Sequence, residues 1–235
     1  MEYKWKRKRI NISGKEDSTD SETSKKVKTE DKKTDPWNGG SESPDITVIK
    51  NHIYFYCGVT KKSSLKLNTE LRKINNTILG NGRNILKEDR YIYLHINSYG
   101  GSVFAAFSVI DTIKNLSIPV ISIIEGAAAS AATLISCICD YRIIRPTAFM
   151  LIHELSSSTW GKMSDIEDEV ENLRKLMDVI KKVYRDHTEI PVNELDDILK
   201  HDIWWDAKKC LAVSLVDEIY KTKKIYRFDR QHLDI

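Results

Sequence analysis

From Ile46 onward the chain alternates between two hydrophobic periods. "ITVIKNHIYFYCG" is rich in β-branched and aromatic residues, and "RYIYLHINS" places Ile92, Leu94 and Ile96 on one face and Tyr91, Tyr93 and His95 on the other. Period two predicts strands. After "YGG", Val103, Phe107, Ile110 and Ile113 recur at helical spacing in "SVFAAFSVIDTIKNL", and the short apolar run "PVISIIEG" predicts a strand buried on both faces. Strand, helix and strand in that order make a βαβ unit.

The alternation resumes at Ser130. "SAATLISCICD" predicts a buried helix, followed by short strands in "YRIIR" and "AFMLIHE". A long amphipathic helix comes next, with Ile166, Val170, Leu173, Met177, Ile180 and Val183 as its stripe and Ser164 with Glu167 as its predicted capping box. Packing within the chain is the default reading of such a stripe. The whole pattern predicts an α/β fold with a largely parallel sheet and no internal repeat.

Upstream of residue 45 the periodicity stops. "SGKEDSTDSETSKKVKTEDKKTDPWNGGSESP" has almost nothing to bury, which predicts a disordered charged tail over 1–44, a folded domain over 45–225 and a short C-terminal tail over 226–235. The run "KWKRKR", Lys4 to Arg9, is read as part of a solvated tail, with an import signal or an anionic-surface patch as the alternatives. A chain of 235 residues, 41% hydrophobic and 30% charged, suits one packed domain. The net charge of +3 is too small to indicate a nucleic-acid partner. Cys57, Cys137, Cys139 and Cys210 lack metal-ligand spacing and read as reduced core thiols. No run reaches the roughly 18 apolar residues of a membrane span, and the first residues lack the apolar core of a secretory signal. The expectation is a soluble cytoplasmic protein without a membrane partner; nuclear or organellar targeting by the basic tail is the alternative.

Chemistry in such folds gathers where strands run out into helices. Two segments have that form: "LHINSYGGSV", with a glycine pair after a strand, and "IIEGAAASAA", where Ser130 stands at a helix start among small residues. A serine nucleophile needs a base, an orienting acid and backbone donors for the oxyanion. His153 is the best-placed base, at the end of "AFMLIHE"; His52, His95, His187, His201 and His232 are worse placed. On these arguments a capping serine and a surface histidine remain open.

The ordered motifs "YLHINSYGGSVFAAFSVIDTI", "GAAASAA", "FMLIHE" and "HDIWWDAKKCLAVSLVDEI" resemble the proteolytic subunit of the Clp protease, within the ClpP/crotonase-like superfamily. The resemblance implies a fold of repeated ββα units with a long protruding helix, and a serine endopeptidase that hydrolyses unfolded polypeptides inside a chamber of stacked rings. Position by position, Ser130 matches the nucleophile, His153 the base and Asp202 the acid, with Asp196, Asp197 and Asp206 as nearby competitors. Gly101 and Ala131 match the residues whose amides form the oxyanion hole, each donor typically worth about 2.7 to 4 kcal/mol of barrier. No cofactor is implied. An AAA+ ATPase unfoldase is the implied partner, and any ATP use falls to it, since the chain lacks a G-x-x-x-x-G-K-[ST] phosphate loop.

The chain departs from the family pattern in several places. Tyr99 stands where proline usually precedes the glycine pair, Ala127 where glutamine is usual, "ELSSSTWG" where a Gln-Pro stretch follows the histidine, and Ser214 where glycine is usual. The segment from Ser130 to His153 is also slightly shorter. Three other readings compete. One is an inactive ClpP-like subunit that only completes a ring; another is a crotonase-like acyl-CoA enzyme, which relies on carboxylates instead. The third is a Ser-Lys peptidase, which has no use for His153 or Asp202.

Overall fold

The structure, a computed structural model, describes residues 46–81 and 90–221. The predicted tails over 1–44 and 226–235, with "KWKRKR" and His232, lie outside the described residues. Within them the predicted α/β architecture holds. Strands β1 (Ile46–Ile49), β2 (His52–Phe55), β3 (Ile92–Ser98), β4 (Val120–Ala129), β5 (Tyr141–Ile144) and β8 (Glu218–Ile219) follow one another across the sheet; β6 (Phe149–Leu151) pairs with β4, and β7 (Trp205–Asp206) with β6. From β2 to β8 the main path is parallel. Only β1 against β2 and β7 against β6 run antiparallel.

Helix α1 (Lys61–Gly80) buries Leu67, Leu71 and Ile74. Its start is closed by a reciprocal pair: Ser63 N–H donates to Thr60 Oγ1 at 3.1 Å, and Thr60 N–H donates to Ser63 Oγ at 2.8 Å. Polar residues share the buried face because they have partners. Asn75 Oδ1 accepts from the amides of Ser117 and Ile118, and Asn68 Nδ2 donates to Ser108 Oγ at 3.0 Å. Helix α2 (Val103–Lys114) lies beside it, with Ser108 bonded to Asn68 and Thr112 accepting from Arg72, and buries Ala106, Val109 and Ile110; α3 (Ala131–Cys137) is buried along its whole length. As predicted, Ile92, Leu94 and Ile96 of β3 enter the core.

One irregularity shapes the sheet. Ile96 pairs with Ile124 but Ser98 pairs with Ala128, so β4 bulges around Gly126, whose φ is +79°. The bulge splits the work of β4. Before it, Ile121 to Ile124 pair with β5; after it, Ala127 to Ala129 pair with β6. Ala127 is therefore a sheet residue opposite Phe149.

Helix α4 (Met163–His187) corrects two expectations. It starts at Met163, so the residue that closes its first turn is Asp165, whose Oδ2 accepts from Lys162 N–H at 3.1 Å, and not the predicted Ser164 and Glu167 pair. Of the predicted stripe only Ile180 and Val183 are buried; Ile166, Leu173 and Met177 are half-covered and Val170 is exposed. Among the described residues the first half of that stripe is only partly covered. Helices α5 (Val192–Leu199) and α6 (Ala207–Ala212) complete the fold. Among the described residues no helix is long and apolar enough to cross a membrane. Cys137, Cys139 and Cys210 are buried thiols outside any disulfide, and burial pushes the Cys137 and Cys210 thiols up to about 12, so they stay protonated.

Two polar clusters tie the sheet together. Arg142 is nearly buried; its Nη2 donates to Asp217 Oδ1 at 2.6 Å, its Nε to Asp217 Oδ2 at 2.9 Å, and its Nη1 to the His187 carbonyl at 2.5 Å. On the sheet face that carries Tyr93, the rings of His52 and Tyr93 stack at 4.5 Å and those of Tyr54 and His95 at 4.3 Å. His52 Nδ1 lies 2.9 Å from His95 Nε2, His95 Nδ1 lies 3.2 Å from Glu125 Oε1, and Arg145 holds the same Glu125 at 2.8 Å. Tyr56 O–H donates to Glu125 Oε2. Burial holds His95 below the usual histidine range, and the attraction of Glu125 does not offset it. His187 is lowered too, by burial and then by Lys114 and Arg142.

Asp217→Ala strands the Arg142 guanidinium in a nearly dry site, so urea unfolding is expected to report a loss of about 3 kcal/mol. A loss no larger than a surface substitution would show that Arg142 finds another partner. For pH, both histidines bind protons more weakly folded than unfolded, so stability is retained above the unfolded value near about 6.5 and lost as pH falls below it. Glu125, also lowered, acts only below its ordinary 4.5. The melting temperature is expected to drop between about pH 7 and about pH 5. His95→Gln should flatten that slope, and an unchanged slope would exclude His95 as its source.

Candidate active site

Because Ser98 pairs with Ala128, the loops that leave β3 and β4 lie side by side. The β3 loop is Tyr99, Gly100, Gly101 and Ser102. It is pinned to the segment before α1: Val59 N–H donates to Gly100 O at 2.7 Å and Ser102 N–H to Val59 O at 2.8 Å. These bonds flank Gly101 without using its amide. At Gly100 φ is +92°, and a Cβ would come within 2.6 Å of Ala129 O and 2.7 Å of Ser130 Cβ. Glycine is required there by backbone conformation and by contact with the serine.

Ser130 ends β4 with φ +54° and ψ −126° and precedes α3. A non-glycine residue there is strained, as at a nucleophile elbow. Its N–H donates to Leu151 O at 2.8 Å, and its carbonyl accepts from Thr133 N–H at 2.9 Å and Thr133 Oγ1 at 2.6 Å. The side chain makes no helix-capping bond, which removes the capping-serine reading. The Thr133 hydroxyl proton is committed to Ser130 O. The Tyr184 hydroxyl, 2.7 Å from Thr133 Oγ1, must therefore donate. Helix α4 thus braces the backbone of Ser130 through two hydroxyls.

His153 lies two residues beyond β6, a shorter strand than the sequence predicts. The antiparallel pairing of Met150 with Trp205 carries the loop before β7 alongside it. Asp202 Oδ1 then lies 2.8 Å from His153 Nδ1. The competing aspartates are engaged elsewhere: Asp196 with Lys181, Asp197 with Lys200, and Asp206 as the cap that accepts from Lys209 N–H. Among the other histidines, His52 and His95 pair on the sheet face, His187 ends α4, and His201 is exposed. Ser130, His153, Gly101 and Ala131 line one narrow cleft of about 20 Å³, with Leu134 and Tyr184 behind. Such a volume holds about one water. Among the described residues no group of three or more His, Cys, Asp or Glu is placed to hold a metal ion.

The arrangement suits acyl transfer. An ionised carboxylate only accepts, so Asp202 fixes the proton on His153 Nδ1 and leaves Nε2 basic toward the cleft that Ser130 shares. Residues that sequence reasoning did not assign are Gly100, whose signal lay in the same glycine pair, and Thr133 with Tyr184, which carried none.

A serine, an imidazole held by a carboxylate, and a glycine loop thus stand together at the carboxyl ends of parallel strands on an open α/β sheet, an arrangement of the serine-hydrolase kind. The chain belongs to the Clp protease family, whose model matches residues 73–223. It is similar to the ATP-dependent Clp protease proteolytic subunits of Streptococcus mutans serotype c, 33% identical over 138 residues, and of Streptococcus suis, 30% identical over 138 residues; each match covers 57% of this chain and 70% of that protein. The corresponding subunit of Deinococcus radiodurans is 27% identical over 133 residues, 56% of this chain and 65% of its own. The protein is accordingly a ClpP-type serine protease.

Gly100→Ala is expected to displace Ser130 and slow fluorophosphonate labelling about a hundredfold, the scale of a misplacement of about 1 Å. Equal labelling rates in variant and wild type would refute the contact.

Proposed function

We propose that Ser130 is the nucleophile, His153 the base and Asp202 the acid of this protease, with Gly101 and Ala131 as oxyanion donors. The observation that carries this is the 2.8 Å contact of His153 Nδ1 with Asp202 Oδ1, in a cleft shared with a serine whose side chain caps nothing. His153 takes the Ser130 proton during attack on the carbonyl and returns it to the leaving amine, while Asp202 stabilises the imidazolium. No cofactor is needed, and residues 45–225 form the peptidase domain. The substrate is an unfolded polypeptide held in the extended form that reaches the cleft.

The partly covered first half of the α4 stripe supports assembly into stacked rings, since an apolar face left partly open in one chain is covered in a symmetric oligomer. A partner AAA+ ATPase fits the printed names of the relatives, "ATP-dependent Clp protease proteolytic subunit". The exposure of Asp202, at 75% of its side chain, favours a second reading in which the isolated chain is weak and serves as a ring subunit.

Intact-mass labelling by a fluorophosphonate separates the two. Labelling is expected at Ser130 alone, absent in Ser130→Ala and His153→Ala, and reduced about ten-thousandfold in Asp202→Asn, which would supply the wrong tautomer. No labelling of a folded, assembled wild type beside a reactive bacterial relative would move the structural-subunit reading to the front.

A further inference from the structure

The loop that carries Asp202 has little beneath it. Its approach is closed by the Lys200 and His201 amides on Asp197 O and Ile198 O, each at 3.2 Å, and it ends in β7. Between those anchors Ile203 N–H reaches only His201 O, at 3.0 Å. Behind the loop lies a hollow of about 140 Å³, lined by Ile152, Ile198, His201, Ile203 and Trp205. Asp202 and Ile203 are exposed. A loop bonded chiefly at its ends gives Asp202 little backbone restraint of its own.

An aromatic contact joins this loop to the glycine loop. Trp204, two residues beyond Asp202, meets the ring of Tyr99 edge to face, with centroids 6.1 Å apart and planes at 88°. Tyr99 adjoins Gly100, the residue packed against Ser130. This aromatic pair therefore joins the loop bearing the acid to the loop bearing the glycines. Edge-to-face geometry at that separation is the favoured arrangement of two aromatic quadrupoles.

We infer that Tyr99 and Trp204 form a clasp that holds Asp202 against His153, so that the acid is in place only when its loop is docked on the glycine loop. Both act as positioning residues through Asp202 and His153; the inference rests on the triad roles proposed above. Tyr99 stands where the family pattern has proline, whose saturated ring has no aromatic edge or face to offer.

The test reads His153 itself, independently of turnover. Its imidazole pKa is followed by NMR on the full-length assembled chain labelled at histidine Cε1, assigned by the resonance lost in His153→Gln. Asp202→Ala gives the reference value without the carboxylate. Tyr99→Ala and Trp204→Ala are expected to move the pKa from the wild-type value toward that of Asp202→Ala, and Tyr99→Phe to restore it. Labelling should slow about fivefold in either alanine variant, the scale of one aromatic pair, with the double variant no slower than the singles. Urea midpoints guard against unfolding, and should either alanine variant unfold, Trp204→Leu replaces it with an apolar side chain that lacks the ring. A His153 pKa unchanged in Tyr99→Ala and Trp204→Ala overturns the clasp whatever the labelling does. If the pKa moves as expected but the wild type does not label, the clasp stands and the peptidase assignment to Ser130 fails.

Discussion

The backbone of Ser130, at φ +54°, is the constraint around which the molecule is arranged. Such a conformation costs a non-glycine residue on the order of 1–3 kcal/mol and persists only where its surroundings over-determine it. Here they do so from four sides. The Leu151 carbonyl holds the amide, Thr133 holds the carbonyl, Gly100 is pressed against the side chain, and α3 begins immediately after. The bulge at Gly126 serves the same end by turning the last three residues of β4 from β5 onto β6, the strand that supplies Leu151.

Support for the other half of the site is built differently. The serine rests on a central strand and a fully buried helix, whereas the aspartate rides an outer loop whose position follows from the two-residue strand β7. Helix α4 contributes to the first half through Tyr184, so the helix with the half-covered apolar stripe also reaches to the backbone of Ser130. Whatever covers that surface therefore acts on a helix already bonded to the site.

Much of this was legible in the sequence. The period-two and helical runs located β3 to β6 and α2 to α4, and the glycine pair, Ser130 and His153 stood out as strand-end residues. Helix α1 escaped notice because Ser63, Ser64, Asn68 and Asn75 occupy buried positions between its leucines, and their hydrogen bonds to Thr60, Ser108, Ser117 and Ile118 leave no trace in a hydrophobicity pattern. The alternation in β3 placed His95 on the polar face; it is buried because Tyr54 and His52 cover it. The start of α4 was read from the Ser164 and Glu167 spacing, but the helix begins earlier, where Asp165 accepts from Lys162 N–H. Ser214 shows the reverse case, with φ +52° where the family pattern has glycine, so an unusual residue marked a real backbone demand.

The contrast between a serine rooted in the interior and an aspartate on a thin outer loop separates two quantities that often travel together. Opening of the outer loop exposes little apolar surface and breaks few backbone bonds, so it belongs to the low-energy fluctuations of the native state, far below the free energy of global unfolding. Ser130 follows a central strand, whose opening requires its neighbours in the sheet to open with it. On the proposed triad, the placement of the acid and the integrity of the sheet are thus set by different equilibria.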